Sequence, residues 1–542
     1  MKALDDILSW YEASLPPRER KQRGHFSTPP ELVQQLFDAC GYSPEADLAR
    51  VRVLDPACGG GNFLLEATHR LLAFGTRVSL DQAAQTALVQ RNVWGYDPDP
   101  VACFLAEMQL RAVLEEKGQV GELHIHQADA LALPWEPCVD LFIANPPYLA
   151  AKNTDLSGYQ SAHRRGQADS YLLFLSLALQ AVRPDGWMGL VLPDPLLARA
   201  NAAKERERLL KDATVHHIWH LSGVFAAEVG AVVIIAQQCA PRRLHQVSWV
   251  RGRWQREVDS MVSPVNQVPQ ALLRRQPGAE FRYLLGSGRG AAIERLRTYI
   301  EETPGASRRF APLGEFLTIS RGEELGKNNP YITAFLENAS FTTAASLKNL
   351  GNMDLYNSEN GHPYYPVLLG GVDVRPYAMP TATHWIAREA VTKPLERYLS
   401  AKLLVVKSTG RLQATLDKQG HVALQTLYLL HLRAREASED DLYFFLALLN
   451  SCLLSEYVYM LHTAYKWVQP QIEQSVLAGL PVPLIETDEQ QRIGELARQL
   501  VGACSTRNSV VEWGQDIERM YEKLERAISM LYASALPGLF VV

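Results

Sequence analysis

Through the first half of the chain, short apolar runs alternate with stretches of helical apolar spacing. That rhythm belongs to strands interleaved with helices in an α/β sheet. Residues 1–23 read as a polar amphipathic helix ending in the charged stretch Arg18–Arg23. Thr28 precedes Pro29, Pro30 and Glu31, an order suited to capping a helix that runs on through Leu32, Val33, Leu36 and Phe37. Val51–Asp55 predicts a strand, Gly59–Gly61 a glycine turn, and Phe63 to about Phe74 the next helix. A helix-rich insert over about 76–92 precedes the strand Val93–Asp97, and a helix follows from Pro98 to about Lys117. Leu123–His126 and Asp140–Ala144 are the next strands. Ala168–Leu179 predicts a strongly apolar helix, Trp187–Leu192 a strand, 199–212 a charged helix, and His216–Leu221 and Val229–Ala236 two more strands. Gly223-Val224-Phe225 reads as a loop with an exposed aromatic ring. His216, His217 and His220 read as strand residues, because no Cys or acidic partner stands at metal-ligand spacing.

Residues about 241–310 carry many Arg, Gln, Pro and Gly, and read as a connector with some strand content at Val247–Val250. The apolar rhythm returns at Leu313–Gly322, Tyr364–Tyr377, Lys402–Lys407, Leu427–Arg433, Leu448–Leu454 and Leu480–Pro483. About 487–534 predicts a helical tail, apolar at Ile493, Leu496, Leu500, Met520, Leu524 and Ile528, and expected to pack on the preceding domain.

Composition narrows the class only modestly. The 542 residues suffice for several domains, are 47% hydrophobic and 21% charged, and carry a net charge of −5. Nothing global signals nucleic acid, although a local basic cleft is compatible with an acidic chain. Seven cysteines without CxxC pairs suggest a reduced compartment and provide no zinc framework. With no signal-peptide core at Met1–Ile7 and no run of membrane-spanning length, the expectation is a cytoplasmic protein with no membrane partner and no metal.

The candidate chemistry centres on Asn145-Pro146-Pro147-Tyr148, directly after an apolar strand. The carboxyl ends of the strands are the ligand edge of an open α/β sheet. Asn145 offers an amide oxygen, and Pro146, held extended by Pro147, offers a carbonyl at a fixed angle beside it. Two such acceptors suit one small NH₂ donor, and Tyr148 adds a ring for stacking on a planar heterocycle. The plain alternative is a proline-terminated strand and a surface turn. Along the same edge, three strands end at or just before aspartates: Asp55, Asp97 and Asp129. Such an edge repels a pyrophosphate and favours a cation bearing a ribose, as S-adenosylmethionine does. The turn Pro56-Ala57-Cys58-Gly59 lets backbone approach a ligand but does not meet the G-x-G-x-x-G pattern.

Taken in order, Thr28-Pro29-Pro30, Asp55–Gly61, Asp97-Pro98, Asp129, Asn145–Tyr148 and Gly223-Val224-Phe225 resemble the γ-class, TaqI-like DNA adenine N6-methyltransferases. The resemblance implies an α/β, Rossmann-like methyltransferase core followed by a mixed α+β target-recognition domain and a helical tail. It implies that Thr28, Asp55, Pro56, Ala57, Cys58, Gly59, Asp97, Asp129 and Pro147 contact S-adenosylmethionine, and that Asn145 and Pro146 bind the adenine amino group. Tyr148 and Phe225 would sandwich the flipped base. This chain departs from the family in having Ala226 where a proline follows the loop phenylalanine. The later segments resemble, more loosely, the recognition domain of TaqI-like and type IIG enzymes. Arg321, Lys327, Arg375, Lys407, Arg411 and Lys466 are its candidate DNA contacts.

The expected division is 1–245 catalytic, 246–310 connector, 311–485 recognition and 486–542 helical segment. The expected activity is methylation of adenine N6 in double-stranded DNA, within a restriction-modification or phage-defence system and with a separate nuclease or defence subunit as an open partner. The absence of room for an N-terminal nuclease domain argues against a single-chain type IIG enzyme. Two alternatives stand beside it. One is a partner-dependent specificity component of a defence complex. The other is methylation of a protein glutamine amide, which also presents a planar NH₂.

Overall fold

The computed structural model describes residues 28–115, 120–149, 169–225, 230–254, 266–283, 285, 288–303, 308–334, 356–357, 363–433, 438–463, 470–505 and 514–539. The expected helix at 1–23 and Lys466 lie outside them. The chain divides into two compact units, the first reaching Ser287 and the second beginning at Gly288.

The first unit is built on a nine-stranded sheet of order β3-β2-β1-β4-β5-β7-β6-β8-β9. Its strands are β1 (Val53–Asp55), β2 (Val93–Asp97), β3 (His124–Gln127), β4 (Val139–Ala144), β5 (Val182–Pro193), β6 (Thr214–Ser222), β7 (Ala231–Gln237), β8 (Gln246–Arg253) and β9 (Asn266–Pro269). Strands β1 to β5 are mutually parallel, and β7 enters antiparallel between β5 and β6. The order reverses at β1 and β4, which makes their carboxyl ends the crevice of the sheet.

Alternation along each strand feeds two cores. Leu54, Phe142 and Ile234 pack with the apolar helix Ser170–Ala181 on one face. Val53, Leu141, Ile143 and Ile235 pack on the other with helices Pro30–Ala39 and Asn62–Arg77. The core is therefore a sheet between two helical layers, and the expected Rossmann-like class is observed.

The expected connector is not one. Residues 246–253 pair in parallel with β6, and 266–269 pair antiparallel with β8, so both extend the sheet. Val247 and Trp249 are buried in the core, and Trp249 is 1% exposed, which explains the run Val247–Val250 better than a linker does. The expected domain edge at 245 thus falls inside the first unit.

The second unit holds a four-stranded antiparallel sheet made of Leu317–Arg321, Leu427–Leu432, Lys402–Val406 and Ala414–Asp417. A second sheet is built around Pro363–Leu368 and His384–Ala387. Leu404, Val406 and Leu429 from the first meet Val367, Ile386 and Val422 from the second in one core. The helical tail belongs to this unit. Helix Thr487–Ser505 joins helix Asp441–Leu449 through Gln490 to Asp441 and Arg498 to Asp440. The Tyr532 hydroxyl, from helix Gln515–Ala535, donates to the Pro481 carbonyl at 2.6 Å. No single described helix is long and apolar enough to cross a membrane. One pair, Asp441–Leu449 with Cys452–Thr463, passes together but is bent by 56°.

Candidate active site

Each expected site element comes from a different strand end. Asp55 closes β1, Asp97 closes β2, Asp129 follows β3, and Asn145 follows β4. The turn after β1 is shaped by backbone requirements. The Cys58 N–H donates to the Tyr96 carbonyl at 2.9 Å, which ties the turn to β2. Gly61 has φ +95, and a Cβ there would lie 2.9 Å from the Ala106 Cβ and 3.0 Å from its Cα. Only glycine allows both that backbone and that helix approach. Gln109, buried on helix Pro100–Glu115, donates to the Gly60 carbonyl at 2.5 Å.

The aspartates are held by amides. Asp97 Oδ2 accepts from Gly59 N at 2.9 Å, and its Oδ1 accepts from Asp99 N at 2.9 Å. Asp129 Oδ1 accepts from Leu131 N at 3.0 Å. Asp55 is 1% exposed, and its Oδ1 accepts from Ala57 N at 3.1 Å. Its Oδ2 is buried and finds no hydrogen-bond partner among the described residues. Burial, with the nearby Asp97 charge adding to it against the Ala57 amide, pushes this carboxyl up to about 8. Only a cation placed beside it would bring such a buried carboxyl back to its ionised form.

Thr28 departs from its expected capping role. The helix begins at Pro30 with Pro29 at its N-cap and no side-chain cap. Thr28 is instead 3% exposed, and its Oγ1 accepts from Asn145 Nδ2 at 3.0 Å across 117 residues of sequence. That bond turns the amide so that its oxygen occupies the opposite branch. Asn62 Nδ2 in turn donates to the Thr28 carbonyl at 3.2 Å.

Around the tetrapeptide, Pro146 is buried and Asn145, Pro147 and Tyr148 are half-buried. The Tyr148 hydroxyl donates to the Val191 carbonyl on β5 at 3.3 Å, and burial raises its pKa. Ser170 opens the following helix and acts as a clasp. Its hydroxyl donates to the Pro147 carbonyl and accepts from Leu149 N, and its own amide donates to the Leu149 carbonyl at 2.9 Å. Sequence reasoning passed over Ser170, Gln109 and Asn62. For Ser170 the signal was present, because Asp169-Ser170 is a helix-start pair immediately before an apolar run.

Phe225 requires a correction. It is 8% exposed rather than an exposed loop ring, and it packs in a core with Val224, Val250 and Trp254. Its ring lies 6.2 Å from that of Tyr148 with the planes at 79°. The two rings are therefore neighbours, set edge to face. Among the described residues no group of His, Cys, Asp and Glu is placed to hold a metal ion.

In the second unit, Arg321, Lys327, Arg375 and Arg411 are exposed and Lys407 is half-buried. Arg411 is engaged, pairing with Glu456 at 3.1 Å and lying 4.6 Å from the Tyr459 ring centroid.

Comparison with known proteins matches residues 2–254 to the N-6 DNA Methylase family and residues 366–482 to the TaqI-like C-terminal specificity domain. The type II methyltransferase M.VspI of Vibrio sp. (strain 343) is 28% identical over 273 residues, covering 49% of this chain and 59% of that relative. M.PaeR7I of Pseudomonas aeruginosa is 28% identical over 185 residues, covering 32% of each chain. The chain thus spans between about a third and three fifths of the length of these curated relatives. In fold, it is similar to the type IIL restriction-modification enzyme MmeI solved with DNA. The TM-score is 0.59 and the identity 13%, over 98% of this chain and 79% of that one.

Proposed function

Because the chain joins an N-6 DNA methylase domain to a TaqI-like specificity domain, and so belongs with the TaqI-like adenine methyltransferases, we propose its reaction. It transfers a methyl group from S-adenosylmethionine to the N6 amino group of an adenine flipped out of double-stranded DNA. The first unit is the catalytic domain and the second the recognition domain. The observation that carries this reading is the Asn145 amide, fixed by Thr28 at 3.0 Å on the same strand-end edge as Asp55 and Asp97.

The residues present fit the cofactor. Asp55 Oδ2 is a buried acceptor without a partner among the described residues, and the Gly59 and Gly61 turn brings backbone to the same edge. Asp55, Asp97 and Asp129, with Thr28, Pro147 and the Pro56–Gly59 turn, would hold it. Bound there, it supplies an electrophilic methyl group on a sulfonium. Asn145 Oδ1 and the Pro146 carbonyl accept the two N6 hydrogens. Adenine's amino lone pair is delocalised into the ring, and two fixed acceptors favour a pyramidal nitrogen with that pair localised. The interaction strengthens as charge develops on nitrogen, which is what lowers a barrier. Thr28 keeps the amide turned for this work, and Ser170 keeps the loop in place, so little reorganisation remains for the reacting geometry.

A base stacked in a duplex cannot reach such an edge and must leave the stack. Tyr148 stacks on the extruded base, offsetting about 1–3 kcal/mol of that cost. Phe225 borders the Tyr148 ring and forms the apolar wall behind it. Arg321, Lys327, Arg375 and Lys407 contact the duplex, and Arg411 serves mainly to brace its loop. The likeness to type II methyltransferases supports a place in a restriction-modification system, with a separate nuclease as the partner of such an enzyme.

The test is single-molecule sequencing of DNA from cells expressing the protein, with Asn145→Ala as control. One motif carrying N6-methyladenine, absent in the variant, is the expected result. DNA without any such motif would overturn the reading, and mass spectrometry of co-purifying proteins would then test the glutamine amide.

A further inference from the structure

Among the described large apolar side chains, Val372 has the greatest exposure, at 83%. It sits at the tip of the turn Gly371–Asp373 in the second unit. An exposed valine on a loose loop is unremarkable; this turn is fixed from several sides. Asp373 Oδ2 accepts from Leu369 N at 2.6 Å and from Gly370 N at 3.1 Å. The Thr426 hydroxyl donates to the Leu369 carbonyl at 2.7 Å. A Cβ on Gly370 would stand 3.1 Å from Thr426 Oγ1, and one on Gly371 3.1 Å from Val406 Cγ1. Just beyond, Tyr377 is 1% exposed with φ +59, a strained backbone for a bulky residue that persists only where its surroundings dictate it. The turn is thus anchored at both ends while its tip faces solvent.

Two basic residues belong to the segments that carry this turn. Arg375 is exposed three residues on, and no ion pair engages it among the described residues. The Lys407 amide donates to the Thr426 carbonyl at 2.9 Å, so Thr426 joins the loop at 407 to this turn. Gln413 Nε2, from the same hairpin, donates to the Val374 carbonyl. Lys407 is likewise without an ion pair among the described residues.

We infer that Val372 is an apolar contact of the recognition unit with a base pair in a groove of duplex DNA, with Arg375 and Lys407 on the flanking phosphates. The occupant follows from the chemistry. Two cations without carboxylate partners match a polyanion, and a single rigid apolar tip on the turn they adjoin matches a thymine methyl or a base step rather than a broad protein surface. A pre-ordered turn also loses little entropy on binding. The inference rests on the DNA reading above and adds to it which residue discriminates sequence.

The test uses the full chain with Val372→Ser, Val372→Ala and the double variant Arg375→Ala/Lys407→Ala. Methylation of a library randomised around the site, and duplex affinity against salt, are measured for each. For Val372→Ser, discrimination at one base pair of the site is expected to fall about tenfold. S-Adenosylmethionine affinity stays as in the unmodified protein. Val372→Ala shows a smaller change at the same base pair. The double variant weakens binding across all sequences and flattens the salt slope by about two. A Val372→Ser profile and affinity identical to the parent overturns the inference and gives this tip to some other partner. If the parent methylates no DNA, the adenine reading fails, and the salt titration of Val372→Ser and the double variant still decides whether this surface meets duplex DNA.

Discussion

Asp55 holds a proton at neutral pH in the unliganded protein, since burial beside Asp97 pushes its carboxyl up to about 8. A cationic cofactor resting on Asp55 requires the carboxylate, so binding must expel that proton. Affinity rises with pH below about 7, and the rise is lost near 8, where Asp55 is half ionised and the cofactor's ammonium begins to titrate. Between pH 6 and pH 7, both well below that value, the apparent Kd should fall about tenfold, close to the limit of one proton per ligand. The cofactor's own ammonium stays protonated across this window, since α-amino groups titrate near ~7.7–8.0. Equilibrium dialysis with radiolabelled S-adenosylmethionine measures the slope. Calorimetry at pH 7 in two buffers of different ionisation enthalpy counts the protons, with about one released per site expected. Asp55→Asn should bind more weakly and lose the slope. A flat Kd with no proton release in the parent would mean that Asp55 stays protonated or stands away from the cation, and would refute the reasoning. The same shift contributes to stability with a fixed sign. It is neutral below the ordinary carboxylate range, where both states are protonated. It becomes unfavourable to the unliganded fold as pH climbs towards 8, because only the folded state resists ionisation.

Asn145→Ala should abolish methyl transfer while leaving the melting temperature and cofactor affinity near those of the parent; retained turnover would overturn the mechanism. Thr28→Val removes the acceptor of the Asn145 amide, and is expected to lower kcat about ten- to a hundredfold with a smaller change in cofactor Kd. Thr28→Ser should restore most of it. For Tyr148→Ala, 2-aminopurine fluorescence at the target base should fall in duplex DNA, with cofactor binding less affected; an unchanged signal would count against base stacking. Gly61→Ala forces a Cβ to 2.9 Å from Ala106 at φ +95, and should cost about 2–4 kcal/mol in denaturant unfolding. Gly59→Ala, with open space around its Cβ, should cost less.

What was legible in the sequence was what strands declare locally. Each of Asp55, Asp97 and Asn145 closes or directly follows an apolar run, so the ligand edge followed from strand boundaries alone. The partner of Thr28 was not legible, because its hydrogen bond spans 117 residues and a Thr-Pro-Pro-Glu start reads equally well as a cap. Phe225 misled for a related reason. A short Gly-Val-Phe segment resembles a surface loop until Val250 and Trp254 share a core with it, and those residues lie in or just after a stretch read as a connector, whose strand content at Val247–Val250 did not declare that it joins the sheet. Ser170 carried a local signal in the Asp169-Ser170 helix start, but the apolar residues of its helix dominate the pattern and draw attention from the hydroxyl that bonds the loop.

The two strands beyond residue 245 bear on how such enzymes could trade specificity. A recombination joint or an engineered graft placed at 245 would strip β6 of its parallel neighbour and bare Trp249's side of the core. A joint at 254 would keep that neighbour but orphan β8 on its outer side. The first unit's sheet is kept entire only by a joint near Ser287 and Gly288, where the second unit begins. Chimaeras exchanging recognition modules should therefore stay soluble when cut there, and aggregate through an open sheet edge when cut forty residues earlier.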